Sequence, residues 1–246
     1  MDTNKRIAHI SNWIKDYAQY NGKKDFELVI GVSGGIDSAV TSTLCAMTGI
    51  TTHLVSMPIK QNIDQHNLSL SHLNWSLKKF KNIKTHIVEL DEIFELFRNQ
   101  MKNYNSELAF ANSRSRLRML TLYQIAQANN ALVVGTGNKV EDFGIGFYTK
   151  YGDGGVDISP IADCTKSEVW EMGKVLDIDK EIIEAKPTDG LWDDSRNDED
   201  QIGLTYEQIE EAMSNKDSEY YEKYSLIRKP NLHKMNPIPI CIIPKN

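Results

Sequence analysis

Cysteine is scarce in this chain. Its three residues, Cys45, Cys164 and Cys241, are odd in number and far apart, which excludes a CxxC-type zinc site and argues against a disulfide framework. No apolar run approaches the roughly 20 residues of a membrane span, so no membrane partner is expected. The N-terminus MDTNKRIAHISNW lacks an apolar signal core, and the expected compartment is the cytoplasm. Positive charge is also in short supply. With 28 Lys and Arg against 34 Asp and Glu, a net charge of −6 leaves no electrostatic footprint for nucleic acid. What remains is ordinary for a soluble globular protein: 246 residues, 40% hydrophobic and 25% charged. That length can bury a sizeable core, and a single domain over residues 1–246 is expected.

Two kinds of hydrophobic periodicity alternate along the chain. Ile7, Ile10, Trp13, Ile14 and Tyr17 at helical spacing predict an amphipathic helix over residues 3–20. The apolar run beginning at Leu28 predicts a first strand, and further strands are predicted at 52–57, 84–90 and 131–135. Helical patterns fill 39–47, 64–80, 91–101 and 112–128. Strands alternating with helices imply right-handed βαβ units, hence an α/β, doubly wound, mostly parallel sheet flanked by helices on both faces. Ligands of such sheets bind beyond the carboxyl ends of the strands. Three informative segments follow strand ends: SGGIDS, SMPIKQN and GTGNKVED. Downstream, GFYTKYGDGGVD reads as a turn region, and residues 189–202 as a flexible, acidic loop. Pro230, Pro237, Pro239 and Pro244 forbid a long helix near the C-terminus, so residues 228–246 are expected to form an extended, surface-laid tail.

The first of those segments carries the strongest chemistry. LVIGVSGGIDS passes from a strand through a glycine turn into a helix, which places several backbone N–H groups and a helix N-terminus around one point, as a phosphate requires. It is not a Walker A loop, because the lysine is missing and Asp37 stands where a metal ligand would serve. Glu141 also lies just past a predicted strand end, so the fold can bring both carboxylates to one side of the sheet to hold Mg²⁺ against phosphates. The bland reading is two solvated acids at helix starts. Arg114, Arg116 and Arg118 in NSRSRLRM suit phosphate or carboxylate, or else form a solvated basic face. Lys166, His233 and Lys234, taken singly, read as surface residues. GTGNKV has Val140 where the dinucleotide fingerprint needs its third glycine, and a calcium loop starting at Asp153 would end on Cys164 instead of glutamate.

Taken together, SGGIDS, NSRSRLRM, GTGNKVE, YTKYGDGGVD, the spaced Lys166, KPTDGLW and the late His-Lys pair resemble the ammonia-dependent NAD synthetases, from the first helix to the tail. SGGxDS alone would specify only the wider superfamily of N-type ATP pyrophosphatases. The resemblance implies an adenine nucleotide alpha-hydrolase-like, Rossmann-like three-layer fold. It implies that Gly31, Val32, Ser33, Gly34, Gly35, Ile36, Asp37 and Ser38 wrap ATP, with Thr136, Lys166 and Thr188 completing that site and Asp37 and Glu141 on Mg²⁺. Arg116, Lys150, Asp157, His233 and Lys234 would hold deamido-NAD, and Asp157, Lys166 and Asp37 would form the catalytic set. One departure stands out: Ser56 occupies a position where the family commonly has arginine, and Lys60 is the nearby cation expected to compensate.

The implied reaction is ATP-dependent amidation of deamido-NAD by ammonia through an acyl-adenylate, releasing AMP and pyrophosphate. Asp157 is the expected proton acceptor for ammonia, and the acidic loop beside Thr188 is the expected lid. The resemblance further implies a homodimer, with Trp13, Tyr17 and Tyr123 serving its interface. Two other readings compete: a different adenylating pyrophosphatase, of the GMP synthetase or tRNA-modifying kind, and a regulatory nucleotide-binding module without catalysis.

Overall fold

In the computed structural model, which describes residues 1–19, 26–188 and 197–244, four parallel strands form one sheet in the order β3-β2-β1-β4. The strands are β1 Glu27–Gly31, β2 Thr52–Ser56, β3 Ile83–Ile87 and β4 Ala131–Val133. Helix α1 (Thr3–Gln19) precedes β1, and α2 (Ile36–Met47) and α3 (Ile63–Lys79) make the crossovers to β2 and β3. The chain then returns through α4 (Asp91–Gln100) and α5 (Glu107–Asn129) to place β4 on the free side of β1. That reversal makes the carboxyl ends of β1 and β4 the topological switch point, where open α/β sheets bind ligands.

The two-residue alternation of β1 divides the core. Leu28 and Ile30 point to one face and pack with Ile14 of α1, Val40 and Leu44 of α2, and Val169 and Met172 of α6 (Lys166–Val175). Val29 points to the other face, where Val55, Val133, Phe94 of α4 and Ala126 of α5 enclose it. A third apolar cluster joins Val140 and Ile145 to Ile202, Leu204, Tyr206, Ile209 and Tyr224. It fastens α8 (Asp198–Ile202), α9 (Tyr206–Ser214) and α10 (Tyr221–Arg228), which follow the short α7 (Lys180–Glu184), to the turn after β4. Among the described residues, no helix is long and apolar enough to cross a membrane.

Two expectations change here. The tail is not extended from residue 228: Lys229–Asn231 form a tight helical turn and α11 (Leu232–Met235) follows, so His233 and Lys234 stand on a helix. Pro230 sits in the first turn of that segment, where its missing N–H costs nothing. Among the described residues of the tail, 236–244 run without regular structure. The acidic loop is also shorter than expected. Residues 198–202 are α8, whose Asn197 cap accepts from the Asp200 N–H at 2.8 Å and whose acidic first turn favours a helix N-terminus. The rest of that loop, 189–196, and the lid expected of it lie outside the described residues.

Candidate active site

Residues 31–38 line a cavity of about 470 Å³ at the switch point. Gly34 has φ +92°, and a Cβ there would lie 2.5 Å from the Gln65 carbonyl oxygen, so only glycine lets the loop turn back against α3. Ser38 closes the loop: its Oγ accepts from the Ser33 N–H at 3.2 Å and donates to the Gly35 carbonyl at 2.9 Å. Helix α2 begins at Gly35 with no side-chain cap, leaving its first turn suited to an anion. Thr136 and Thr188 line the same cavity.

The opposite wall follows β4. Buried Asn138 caps the wide helical turn Lys139–Ile145, its Oδ1 accepting from the N–H groups of Val140 and Glu141, both at 3.0 Å. Its Nδ2 donates to Asp37 Oδ1 at 3.1 Å, so one side chain joins the Asp37 carboxylate to the turn that carries Glu141. The spacing of Asn138 and Glu141 is that of an N-cap followed three residues later by glutamate, a signal legible in GTGNKVE.

Lys166 lies between the two acids. Its Nζ is 2.5 Å from Asp37 Oδ2 and 2.8 Å from Glu141 Oε1, and the residue is 1% exposed. Burial alone disfavours an ammonium, but the two carboxylates outweigh it and push the Lys166 pKa up. Burial is also the largest influence on both acids. It holds Asp37 above the ordinary carboxylate range, with the negative charge of Glu141 adding to it. At Glu141 the Lys166 charge and the hydrogen bonds from Lys166 and Tyr206 prevail over burial and lower the pKa. Lys166 is therefore a fully enclosed cation, the opposite of its reading as a surface residue.

The carboxylate pair fits Mg²⁺. Among the described residues no group of three His, Cys, Asp or Glu could hold a metal ion, but Mg²⁺ commonly takes one or two carboxylates and completes its shell with substrate phosphates and water. Asp37 and Glu141, converging on a single cation beside the glycine loop, supply that donor set.

At the end of β2, Ser56 is buried and its Oγ accepts from Ser69 Oγ at 3.0 Å. Lys60, the cation expected to compensate at this position, pairs through its ammonium with Glu95 at 2.5 Å and does not line the cavity. Arg118 of α5 lines the cavity, and its Nε donates to the Met57 carbonyl at 3.0 Å.

The expected deamido-NAD residues separate into three groups. Arg116 Nε donates to the Lys150 carbonyl at 3.3 Å and Lys150 Nζ to the His233 carbonyl at 3.0 Å, linking these three beside the cavity but outside its lining. Lys234 lines a side pocket of about 160 Å³, its Nζ donating to the Tyr148 carbonyl at 2.8 Å. Asp157 lies in neither. It lies in a bend just before the isolated bridge from Val134 to Ile158, and its neighbour Val156 lines the cavity. Its carboxylate accepts from Tyr123 Oη at 3.0 Å and from the Val133 N–H at 2.8 Å.

Two acids to which the sequence assigned no role in the site, Asp142 of GTGNKVED and Asp153 of YTKYGDGGVD, also lie at it. Asp142 and Asp153 line both the cavity and the side pocket. Burial pushes Asp153 up, although its Oδ1 accepts from Ser115 Oγ at 2.6 Å and from the Thr149 N–H at 3.0 Å. Asp142 stands well above its ordinary range, through burial first and the charges of Asp153 and Glu141 next. Gly137 makes room for it, since a Cβ there would fall 1.8 Å from Asp142 Oδ2.

Known proteins resemble this chain along most of its length. The NH(3)-dependent NAD(+) synthetase of Mesoplasma florum is 34% identical over 242 residues, covering 96% of both chains. The protein of the same name from Carboxydothermus hydrogenoformans is 38% identical over 217 residues, 85% of this chain and 84% of that one. Among solved structures, the NMN synthetase of Francisella tularensis superposes with a TM-score of 0.88 at 30% identity over 100% of both chains. The NH3-dependent NAD synthetase of Campylobacter jejuni, at a TM-score of 0.78 and 24% identity over 98% of this chain and 100% of that one, shares the fold. Residues 6–235 match the NAD synthase family, and with relatives this similar along nearly its whole length the chain belongs to that family.

Proposed function

We propose that this protein is an ammonia-dependent NAD synthetase, a single-domain ligase that forms the carboxamide of NAD from deamido-NAD, ATP and ammonia. The observation that carries this reading is the constellation of Asp37, Asn138, Glu141 and Lys166 beside the glycine loop. A nicotinate carboxylate is a poor electrophile. Its oxygen attacks the α-phosphorus of ATP, and the bond to the β-phosphate oxygen breaks, giving an acyl-adenylate and pyrophosphate. The N–H groups of the loop and of α2 stabilise charge on the departing pyrophosphate, with Lys166 as the enclosed cation. Mg²⁺, held by Asp37 and Glu141, would neutralise phosphate charge when bound. Ammonia then attacks the acyl carbon and expels AMP.

Asp153 replaces Asp157 in this account as the acceptor of the ammonium proton. It lines the cavity, where the Ser115 hydroxyl at 2.6 Å and the Thr149 N–H at 3.0 Å hold its carboxylate in place. Arg116, Lys150, His233 and Lys234 sit on the side where the deamido-NAD would continue beyond the cavity. Trp13, at 40% exposed, Tyr17 at 49% and Leu120 at 62% leave apolar surface on α1 and α5 that a second copy would cover, and light scattering should give twice the 28.0 kDa chain mass. The cysteines among the described residues are all free, in keeping with action in the cytoplasm.

The close superposition on the NMN synthetase favours one competing reading, in which the mononucleotide carboxylate is the substrate. Supplying either nicotinate nucleotide with Mg-ATP and ammonium separates them. Larger kcat/KM with the dinucleotide, together with AMP and pyrophosphate as products, is expected. Preference for the mononucleotide would transfer the assignment, and ADP with phosphate would refute both.

A further inference from the structure

Tyr206 is 1% exposed and belongs to none of the segments that resemble the family. It opens α9 directly after the cap Thr205, whose capping box with Gln208 fixes the start of that helix. Its backbone N–H donates to Glu199 Oε1 at 2.9 Å, binding α9 to α8. Ile202, Leu204 and Ile209 enclose it with Val140 and Ile145 of the turn after β4. The ring is thus delivered by a part of the chain remote in sequence from the glycine loop, yet it reaches both partners at the centre of the site.

The hydroxyl donates to Glu141 Oε1 at 2.6 Å and lies 3.3 Å from Asp198 Oδ2. A phenol has one proton, and the shorter contact to a charged oxygen takes it. The face of the ring lies 4.9 Å from Lys166 Nζ, within the range of a cation–π contact, while Trp170 packs edge-on against the same ring at 5.8 Å. A phenol keeps its proton at neutral pH and is a hydrogen-bond donor there. Asn138 holds Glu141 from the backbone side, through the cap of its own turn, and Tyr206 holds the carboxylate itself.

We propose that Tyr206 is the positioning residue of the metal-binding carboxylate, its hydroxyl setting the orientation in which Glu141 meets Mg²⁺ and its ring walling the ammonium of Lys166. The proposal rests on the reading of Asp37 and Glu141 as metal ligands. Outer partners of ligating carboxylates commonly govern metal affinity by about tenfold or more.

The test is Tyr206→Phe, which keeps the ring, the contact with Lys166 and the packing on Trp170 and deletes only the hydroxyl. Mn²⁺ binding in the presence of a non-hydrolysable ATP analogue, followed by electron paramagnetic resonance, is expected to weaken roughly tenfold. The KM for Mg-ATP should rise with it, the KM for ammonium should not move, and the thermal midpoint should stay within a few degrees. Unchanged Mn²⁺ affinity in the variant would overturn the proposal. So would a weakening that merely follows a lowered thermal midpoint and disappears on cooling. If the wild type itself binds no Mn²⁺ beside the analogue, the metal assignment of Asp37 and Glu141 fails instead, and the role of Tyr206 with it. Tyr206→Leu, which removes ring and hydroxyl together, should weaken Mn²⁺ binding further than Tyr206→Phe; an equal effect would show that the hydroxyl sets the affinity and would overturn the part assigned to the ring.

Discussion

At the scale of single residues, the site is a problem of three charges in a confined space. Asp37 and Glu141 would repel one another without a cation, and Lys166 supplies one. Lys166→Met keeps the length and apolar stem but leaves two enclosed carboxylates facing each other. Removing one partner from such a set costs about 3 kcal/mol or more. Urea unfolding should show a loss of that order in the absence of divalent ions, and added Mg²⁺ should restore part of it, because metal and lysine satisfy the same acids. A variant as stable as the wild type would show that the two carboxylates are not jointly ionised. Asp153 is tested by a different division of the reaction. Asp153→Asn should lower amide formation roughly a hundredfold while pyrophosphate exchange into ATP continues, since adenylation precedes the step that needs the base. Equal loss of both steps would remove Asp153 from the ammonia half-reaction.

At the scale of elements, the parts of the site that sit on short-range signals were legible in the sequence. The strand, glycine turn and helix of LVIGVSGGIDS carry their own geometry, so residues 31–38 and Asp37 fall where the sequence places them. Glu141 and Lys166 were found through motif spacing, but their direct contact depends on how α6 packs on α1 and α2, which no local pattern encodes. The surroundings of Asp157 depend on tertiary contacts in the same way: its carboxylate is held by Tyr123 Oη and the Val133 N–H, away from the cavity lining. Tyr206 escaped notice because an aromatic after a capping residue looks like core, and indeed it is also core. Likewise Pro230 suggested an extended tail, yet proline in a first helical turn is compatible with a helix. The wide turn Lys139–Ile145 tests the element level directly. Asn138→Ala removes its cap and the bond to Asp37 together, and should cost about 1 to 2 kcal/mol in chemical denaturation. It should also weaken nucleotide binding, because Glu141 loses the turn that presents it. A variant unchanged in both would mean that packing of Val140 and Ile145 holds the turn alone.

At the scale of the whole molecule, the sheet order makes the chemistry possible. Reversal of the strand order at β1 opens the crevice, the two faces of the sheet are sealed by separate helix layers, and the third apolar cluster brings the last third of the chain over it. Global stability has its own pH signature. His72 is buried against Trp75 and shares a 2.8 Å hydrogen bond with Ser42, and burial depresses its pKa from the ordinary 6.5 to about 4. Below pH 6.5 the unfolded chain takes up a proton that the folded chain refuses. The contribution is therefore fully present above that pH and declines towards pH 4, by at most roughly 1.4 kcal/mol per pH unit. Unfolding curves between pH 7 and 4.5 should show this slope, and His72→Gln, which keeps a hydrogen-bonding group and cannot titrate there, should flatten it. An unchanged slope would assign the acid sensitivity to other groups.

The central claim is that ATP is cut between its α and β phosphates by the nicotinate carboxylate. Deamido-NAD labelled with ¹⁸O in that carboxylate, converted in the presence of Mg-ATP and ammonium and analysed by mass spectrometry, decides it. The account predicts one labelled oxygen in the phosphate of AMP and the other retained in the carboxamide of NAD. Label in inorganic phosphate, with AMP unlabelled, would contradict it.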